Sequence, residues 1–396
     1  MLNTPSDLAA PEFQLLAACA RWPASAARRE AVTAAVNLPL FDWAKVLQAV
    51  RRHRIAGLLR HGLADASIAV PDEIAQELGR RVLTDTHHNL LIVGRATRLV
   101  GLLKREGIAP VVLKGPPLMA QAYGDLTVRA SHDLDLLVPV KDIRRAIAIC
   151  EAAEYKRILP PPNLPDHAME HWLELCKDVI FRDDVGVTLE LHHRPTVSRS
   201  LSDQLNLSGG VTEVAVASSA SLPTPPLDAL YPYLCIHGAL CAWFRLKWIA
   251  DVAALTAGLS DDELVALHNE AAARGAARAS AQALLLIQAL FGRTLPARIR
   301  PDRKSVRLAN FALQVMSDPL EPHQRRWRPA RIQLGQLLLT EDWTFRREAV
   351  TAWLMDWPTA FRIGLPRPLR FLYPLMRAPA WLVRRVLRPI AGPADH

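Results

Sequence analysis

The chain has 396 residues, of which 50% are hydrophobic and 22% are charged. This balance excludes wholesale disorder and supplies enough apolar side chains for two or three packed units. The formal net charge of +9 predicts an anionic partner, and a small anionic substrate, nucleic acid and an anionic membrane surface all satisfy it.

The cysteines and the apolar segments indicate a cellular location. The five cysteines are odd in number and show no C-x-x-C spacing, which is typical of reduced, buried thiols. The start of the chain has no basic segment followed by an apolar run, so no signal peptide is predicted. Because no apolar run reaches the ~18 residues of a membrane-spanning helix, we expect a cytoplasmic protein.

The chain begins with helical patterns and changes character at Gly107. Apolar residues recur at intervals of three and four over 13–20, 41–59 and 74–103, which predicts three helices. Strands are predicted in the following segment at 108–113, 132–138, 179–182 and 187–192, with helices at 118–123 and 141–154. The polar turn at 183–186 indicates that the last two strands form a hairpin.

Helical patterns return after residue 226, over 230–255 and 261–291. From Arg293 onward the chain is basic and interrupted by prolines. The predicted fold class is α+β, with a small mixed β-sheet core flanked by N-terminal and C-terminal helical regions. The predicted boundaries are a helical region at 1–105, an α/β core at 106–200, a helical region at 226–345 and a basic, proline-rich tail at 346–396.

Two aspartates stand two residues apart on the second predicted strand. Side chains alternate along a strand, so Asp133 and Asp135 point to the same face. Two adjacent carboxylates in an apolar strand are unfavourable unless a cation neutralises them, and magnesium prefers such oxygen ligands. The alternative is that one aspartate caps a helix or that both lie at an exposed strand end.

Glu190 and His192 share one face of the fourth predicted strand, opposite Leu189 and Leu191. If that strand neighbours the Asp133–Asp135 strand, Glu190 reaches the same metal site. The alternative is an edge strand with one solvated polar face.

A lysine and a glycine end the first predicted strand. Gly115 allows the backbone to approach a phosphate closely, and Lys114 and Arg129 are candidate phosphate ligands. Pro116 and Pro117 remove two amide donors from the start of the following helix.

These segments together resemble the DNA-polymerase-β-like nucleotidyltransferase superfamily, and most closely its uncharacterised bacterial nucleotidyltransferase-like branch. The resemblance covers roughly residues 90–260. The segments that carry it are Leu113-Lys114-Gly115, Tyr123-Gly124-Asp125, the run from Arg129 to Val138, Leu189-Glu190-Leu191-His192, and the helix from His237 to Asp251.

The resemblance implies a magnesium-dependent transfer of a nucleoside monophosphate from a nucleoside triphosphate, such as ATP, to a hydroxyl acceptor. Asp133, Asp135 and Glu190 would hold two Mg²⁺ ions, and the nucleotide would contact a second set of residues: Lys114, Gly115, Arg129 and Ser131. His192, His237 and Lys247 would contact the acceptor or the base. A plain packing role for the helix 237–251, with Lys247–Asp251 as a surface ion pair, is the alternative.

The acceptor is not readable from the sequence, and a small molecule, a glycan and a peptide all remain open. Nucleic acid is an unlikely partner, since no basic strand with interleaved aromatics is present. Two other functions are also considered. One is a non-catalytic nucleotide-binding relative, because Pro116 follows Gly115 where the superfamily has Gly-Ser or Gly-Gly. The other is a peripheral-membrane module, because segment 361–396 carries seven arginines against Asp395 and several apolar aromatic residues.

Overall fold

The computed structural model describes residues 10–207 and 209–354, together with the single residues 369, 372 and 375. The predicted membrane-binding tail lies almost wholly outside these residues, so that association stays a prediction. In the described part of the chain, no helix combines the length and the apolarity needed to cross a membrane.

The N-terminal part is helical as predicted. From residue 10 onward, where the structure describes it, its helices are α1 (Pro11–Cys19), α2 (Ala26–Val36), α3 (Trp43–His53), α4 (Ala56–Asp65) and α5 (Asp72–Arg105). The single helix predicted over 41–59 is wrong, because the chain breaks between α3 and α4 at Arg54, whose φ of 59° and ψ of 43° are left-handed. Arginine rarely adopts that conformation, so the sequence carries no signal for the break.

The middle part contains a five-stranded mixed sheet and its helices. In chain order the elements are β1 (Val111–Val112), α6 (Pro116–Tyr123), β2 (Asp133–Leu137), α7 (Ile143–Ala152), β3 (Lys156–Leu159), α8 (Asp166–Leu175), β4 (Asp178–Arg182), β5 (Thr188–His192) and α9 (Arg199–Leu205). The strand order is β1-β2-β5-β4-β3, in which only the β2–β5 pair is parallel. The predicted hairpin is confirmed as β4–β5. The strand predicted over 108–113 is shorter in the structure, where it is β1. Strand β3 and helices α8 and α9 were not predicted.

A two-stranded sheet, β6 (Thr212–Ala217) and β7 (Ala220–Thr224), follows and was not predicted. The remaining elements are the helices α10 (Leu227–Leu240), α11 (Leu246–Thr256), α12 (Asp261–Ala273), α13 (Ala277–Phe291), α14 (Arg303–Ser317), α15 (Arg328–Gln336) and α16 (Trp343–Leu354). The two long helices predicted over 230–255 and 261–291 are wrong, since each divides into two. Positive φ angles at Trp243 and Gly275 mark the breaks.

Apolar burial unites these parts into the predicted α+β architecture. One core cluster joins side chains of the N-terminal helices, such as Leu16 and Leu58, to those of the later helices, such as Leu230 and Leu286. A second cluster packs α5 and α7 against the sheet through residues such as Leu134 and Leu189. The polar face of β2 and β5 is thereby left to line a cavity.

Candidate active site

A cavity of about 570 Å³ lies over the polar face of strands β2 and β5. Helices α10, α11 and α16 also contribute side chains to its wall. Every site residue predicted from the sequence lines it: Lys114, Gly115, Arg129, Ser131, Asp133, Asp135, Glu190, His192, His237 and Lys247. The fold therefore brings together residues that are up to 133 positions apart in the chain.

Strand register sets the arrangement of the acidic residues. Asp133 and Asp135 lie on β2, and Asp135 pairs with Glu190 across the parallel β2–β5 ladder. The intervening Leu134 and the neighbouring Leu189 are buried on the opposite face, at 1% and 0% exposure. Alternation along the two strands thus aims the carboxylates into the cavity and the leucines into the core.

The carboxylate of Asp135 forms two close contacts with basic side chains of the site. Its Oδ1 lies 3.0 Å from Lys114 Nζ and 3.2 Å from His192 Nε2. Burial raises the pKa of Asp135, but Lys114 and His192 outweigh this effect and hold the pKa below its ordinary value. Burial likewise lowers the pKa of Lys114, and the carboxylate of Asp135 more than reverses it. Asp135 is therefore ionised at neutral pH.

Asp133 has a different environment from Asp135. Among the described residues, its carboxylate forms no hydrogen bond or ion pair. Burial raises its pKa, and the nearby carboxylates of Asp135 and Glu190 add to the rise. A cation placed among these three groups would relieve the repulsion.

His192 bridges the two paired acids. Its Nε2 lies 3.2 Å from Asp135 Oδ1 and 3.3 Å from Glu190 Oε2, and its ring is 2% exposed. One ligand atom each from Asp135, Glu190 and His192 lie within 4.8 Å of one another, the spacing of a metal-ligand set. Burial and Lys177 lower the pKa of His192, but the hydrogen bonds to the two carboxylates produce a net rise.

Lys177 is a site residue that the sequence analysis missed. It precedes β4, and its Nζ lies 3.5 Å from Glu190 Oε2 and 2.5 Å from Asp178 Oδ2. Burial lowers its pKa, but Asp178 and Glu190 raise it overall. The hairpin register places Asp178, not Lys177, opposite His192, so the sequence carried no direct signal for Lys177.

Gly115 occupies a backbone position that excludes side chains. Its φ of 82° and ψ of −133° lie in a region reserved for glycine. A Cβ there would also meet Ser131 Oγ at 3.0 Å. This glycine holds the end of β1 against the loop that leads into β2.

The loop before β2 is organised by Asn89 of α5, which the sequence analysis also missed. The Asn89 amide donates to the carbonyl oxygens of Leu126 and Arg129, at 2.7 and 2.8 Å. Its carbonyl oxygen accepts the Ser131 N–H at 2.9 Å. The available signal was that Asn89, together with Asp85, interrupts the helical spacing of apolar residues such as Val82 and Ile92.

Arg129 forms an ion pair rather than presenting a free guanidinium. Its Nε donates to Asp251 Oδ1 at 2.7 Å, and the Tyr123 hydroxyl donates to the same oxygen at 3.0 Å. The interpretation of Lys247–Asp251 as a surface ion pair is wrong, since both residues are buried and Lys247 Nζ instead donates to the Ala130 carbonyl at 3.2 Å. The turn before α11 sets how this helix packs, and the helix face that carries Lys247 and Asp251 is buried rather than exposed to solvent.

Aromatic rings form another wall of the cavity. His237 packs edge-on against Trp248 with ring centroids 5.2 Å apart, and Phe244 packs edge-on against Trp248 at 4.8 Å. Burial lowers the pKa of His237 well below its usual value, with Lys114 adding to the effect. This imidazole is neutral at physiological pH.

The last described helices complete the cavity. Phe345, Glu348 and Ala349 of α16 and Gln336 of α15 line it. Glu348 Oε2 accepts from Ser198 Oγ at 2.6 Å, which fixes α16 to the segment after β5. No site residue was predicted on these helices, because no local motif marks them.

The sequence of this chain matches a known family of nucleotidyltransferases. The family model described as "Uncharacterised nucleotidyltransferase" matches residues 39–292, more than half of the chain. The chain belongs to this family. The match includes both sheets and α10–α13, so α14–α16 lie beyond it. A comparison with curated proteins finds no match.

Proposed function

We propose that this family member is a magnesium-dependent nucleotidyltransferase that moves a nucleoside monophosphate from a nucleoside triphosphate to a hydroxyl acceptor. The observation that carries the proposal is the pairing of Asp135 with Glu190 on adjacent parallel strands, with Asp133 on the same strand face as Asp135. All three line one cavity together with Lys114 and Gly115.

The residues present fit a hard divalent cation. Carboxylate oxygens are the ligands that Mg²⁺ prefers, and Asp133, Asp135 and Glu190 supply them within one cavity. The raised pKa of Asp133 is the electrostatic effect that such an ion would offset. Imidazole nitrogen is a softer ligand, so we assign His192 to holding the Asp135 and Glu190 carboxylates in place.

The chain's own groups then have distinct tasks. When bound, Mg²⁺ would lower the pKa of the acceptor hydroxyl and offset charge on the triphosphate. Glu190 would accept the hydroxyl proton, and Lys177 offsets the charge of its carboxylate from 3.5 Å. Lys114 holds Asp135 ionised. Gly115 lets the nucleotide approach the backbone.

The nucleotide base and the acceptor would use the remaining walls. We assign the base to the aromatic wall of His237, Phe244 and Trp248, since any base stacks on such rings. The acceptor then lies towards α16, where Phe345, Glu348 and Ala349 line the cavity. A small molecule, a glycan and a peptide all remain compatible with this wall.

The non-catalytic alternative retains one supporting observation, the Pro116-Pro117 start of α6, which removes amide donors near Gly115. The test is a screen of nucleoside triphosphates for Mg²⁺-dependent pyrophosphate release with panels of hydroxyl-bearing acceptors. Release by the parent and its loss in Asp135→Asn support the transferase. Mg²⁺-dependent nucleotide binding with no release for any acceptor supports the non-catalytic relative.

A further inference from the structure

The positively charged side chains of the cavity differ in whether they have an acidic partner. Lys114 pairs with Asp135, Arg129 with Asp251, and Lys177 with Glu190. Within residues 10–207 and 209–354, Arg54 and Lys247 also line the cavity and form no ion pair. These two basic side chains therefore remain available to an anionic ligand.

Arg54 stands at a strained backbone position. Its φ of 59° and ψ of 43° are left-handed, a conformation that residues other than glycine rarely adopt. Strain of this kind concentrates at functional sites. Backbone hydrogen bonds hold the strained segment against the loop before β2: Ala130 N–H donates to the Arg54 carbonyl at 3.2 Å, and Leu58 N–H donates to the Val128 carbonyl at 2.6 Å.

Lys247 is a buried amine whose hydrogen bonding is incomplete. It is 8% exposed, and its one described hydrogen bond goes to the Ala130 carbonyl, although an ammonium offers three donors. Burial lowers its pKa well below the usual value, and the Arg129 and Arg54 guanidinium groups add to the effect. A neighbouring anion would restore the charged form and accept the remaining donors.

We propose that Arg54 and Lys247 form the anion site of the cavity and bind the polyphosphate chain of the nucleoside triphosphate. This rests on the proposed function. Among the described residues, no carboxylate lies within ion-pair distance of the Arg54 or Lys247 side chain, so an anionic ligand would supply the missing countercharge. Ala130 connects the two residues, since its carbonyl accepts from Lys247 Nζ and its N–H donates to the backbone carbonyl of Arg54.

The probe is Mg²⁺-tripolyphosphate, which carries the anion without a nucleoside and undergoes no nucleotidyl transfer. Calorimetric titration of the full chain gives its affinity for the parent, Arg54→Asn, Lys247→Met and Arg54→Lys. Asparagine tolerates the left-handed backbone, so Arg54→Asn removes the charge without a folding defect. The matched control is Arg51→Asn, which removes an exposed arginine from the same helix.

Arg54→Asn and Lys247→Met are expected to weaken tripolyphosphate binding by about tenfold to a hundredfold each, the value of lost charge-assisted hydrogen bonds. Arg54→Lys recovers part of the affinity, and Arg51→Asn matches the parent. Equal binding by the parent and Arg54→Asn overturns the proposal, and this variant alone decides it if Lys247→Met fails to fold.

The same variants separate this inference from the proposed activity. If the parent releases pyrophosphate but Arg54→Asn and Lys247→Met keep the parent KM for the triphosphate, the anion site is wrong and the transferase stands. If tripolyphosphate binding depends on Arg54 and Lys247 while no triphosphate yields pyrophosphate, the anion site stands and the activity is wrong.

Discussion

Arg129 and Asp251 form a buried ion pair that ties the loop before β2 to helix α11. Their side chains are 3% and 4% exposed, and Arg129 Nε lies 2.7 Å from Asp251 Oδ1. The loop carries Ser131 and leads directly to Asp133, so this pair fixes the entry to the acidic strand. The arginine predicted as a phosphate ligand thus has a structural partner.

Removing one member of this pair leaves an uncompensated buried charge. We expect Arg129→Gln to lower the free energy of unfolding by about 3–5 kcal/mol, measured by chemical denaturation. The double variant Arg129→Gln/Asp251→Asn should lose less free energy of unfolding than the two single variants lose together. Arg29→Gln, in an exposed pair with Asp65, is the control and should cost about 0–1 kcal/mol. Additive single effects at Arg129 and Asp251 would contradict the coupling.

Asn89 is expected to stabilise the same loop. Asn89→Ala leaves three backbone groups, at Leu126, Arg129 and Ser131, without their partner, and those of Arg129 and Ser131 are buried. Each such group costs about 1–3 kcal/mol, with partial relaxation reducing the sum, so we expect a loss of more than about 2 kcal/mol in denaturation. Asn37→Ala removes an exposed asparagine and is the control. Similar stability of the two variants would refute the role of Asn89.

His53 predicts a pH dependence of stability. Its ring is buried, its Nδ1 accepts the Leu246 N–H at 3.0 Å, and its Nε2 lies 3.0 Å from Arg52 Nη1. Burial lowers the pKa of His53 well below 6.5, and the Arg52 and Arg245 guanidinium groups add to the effect. Near pH 6.5, His53 therefore binds a proton in the unfolded chain but stays unprotonated in the folded chain.

The stability from a neutral His53 is complete above pH 6.5 and is lost as the pH falls below it, at about 1.4 kcal/mol per pH unit. Denaturation midpoints measured between about pH 7.5 and 5 should fall more steeply for the parent than for His53→Asn, whose side-chain oxygen still accepts the Leu246 N–H. Parallel pH profiles would show that His53 does not contribute.

The sequence predicted the sheet and its acidic residues because both depend on local alternation. Asp133, Leu134 and Asp135 alternate between the cavity and the core, and the Asp183–Gly186 turn indicates the β4–β5 hairpin. Residues that share a strand face, such as Glu190 and His192, are therefore readable from spacing alone.

The missed features depend on tertiary contacts. The breaks at Arg54 and Trp243 place residue types in left-handed backbone that no propensity favours. Lys247 was predicted to lie on the surface, because burial of a helix face cannot be predicted without knowing which elements pack against it. Lys177 pairs with Glu190 only through the hairpin register, and the α16 wall follows a segment without any motif.

The central claim is that Asp133, Asp135 and Glu190 hold a divalent metal with the nucleotide. The most direct measurement is a Mn²⁺ titration, followed by electron paramagnetic resonance, in the presence of a non-hydrolysable nucleoside triphosphate. Asp135→Asn and Glu190→Gln keep the side-chain shape and remove the charge, while Asp261→Asn changes an exposed aspartate in the first turn of α12 as the control. The account predicts tight Mn²⁺ binding by the parent and Asp261→Asn, with a loss of at least about tenfold in the two site variants. Parent-like Mn²⁺ affinity in both Asp135→Asn and Glu190→Gln would contradict it.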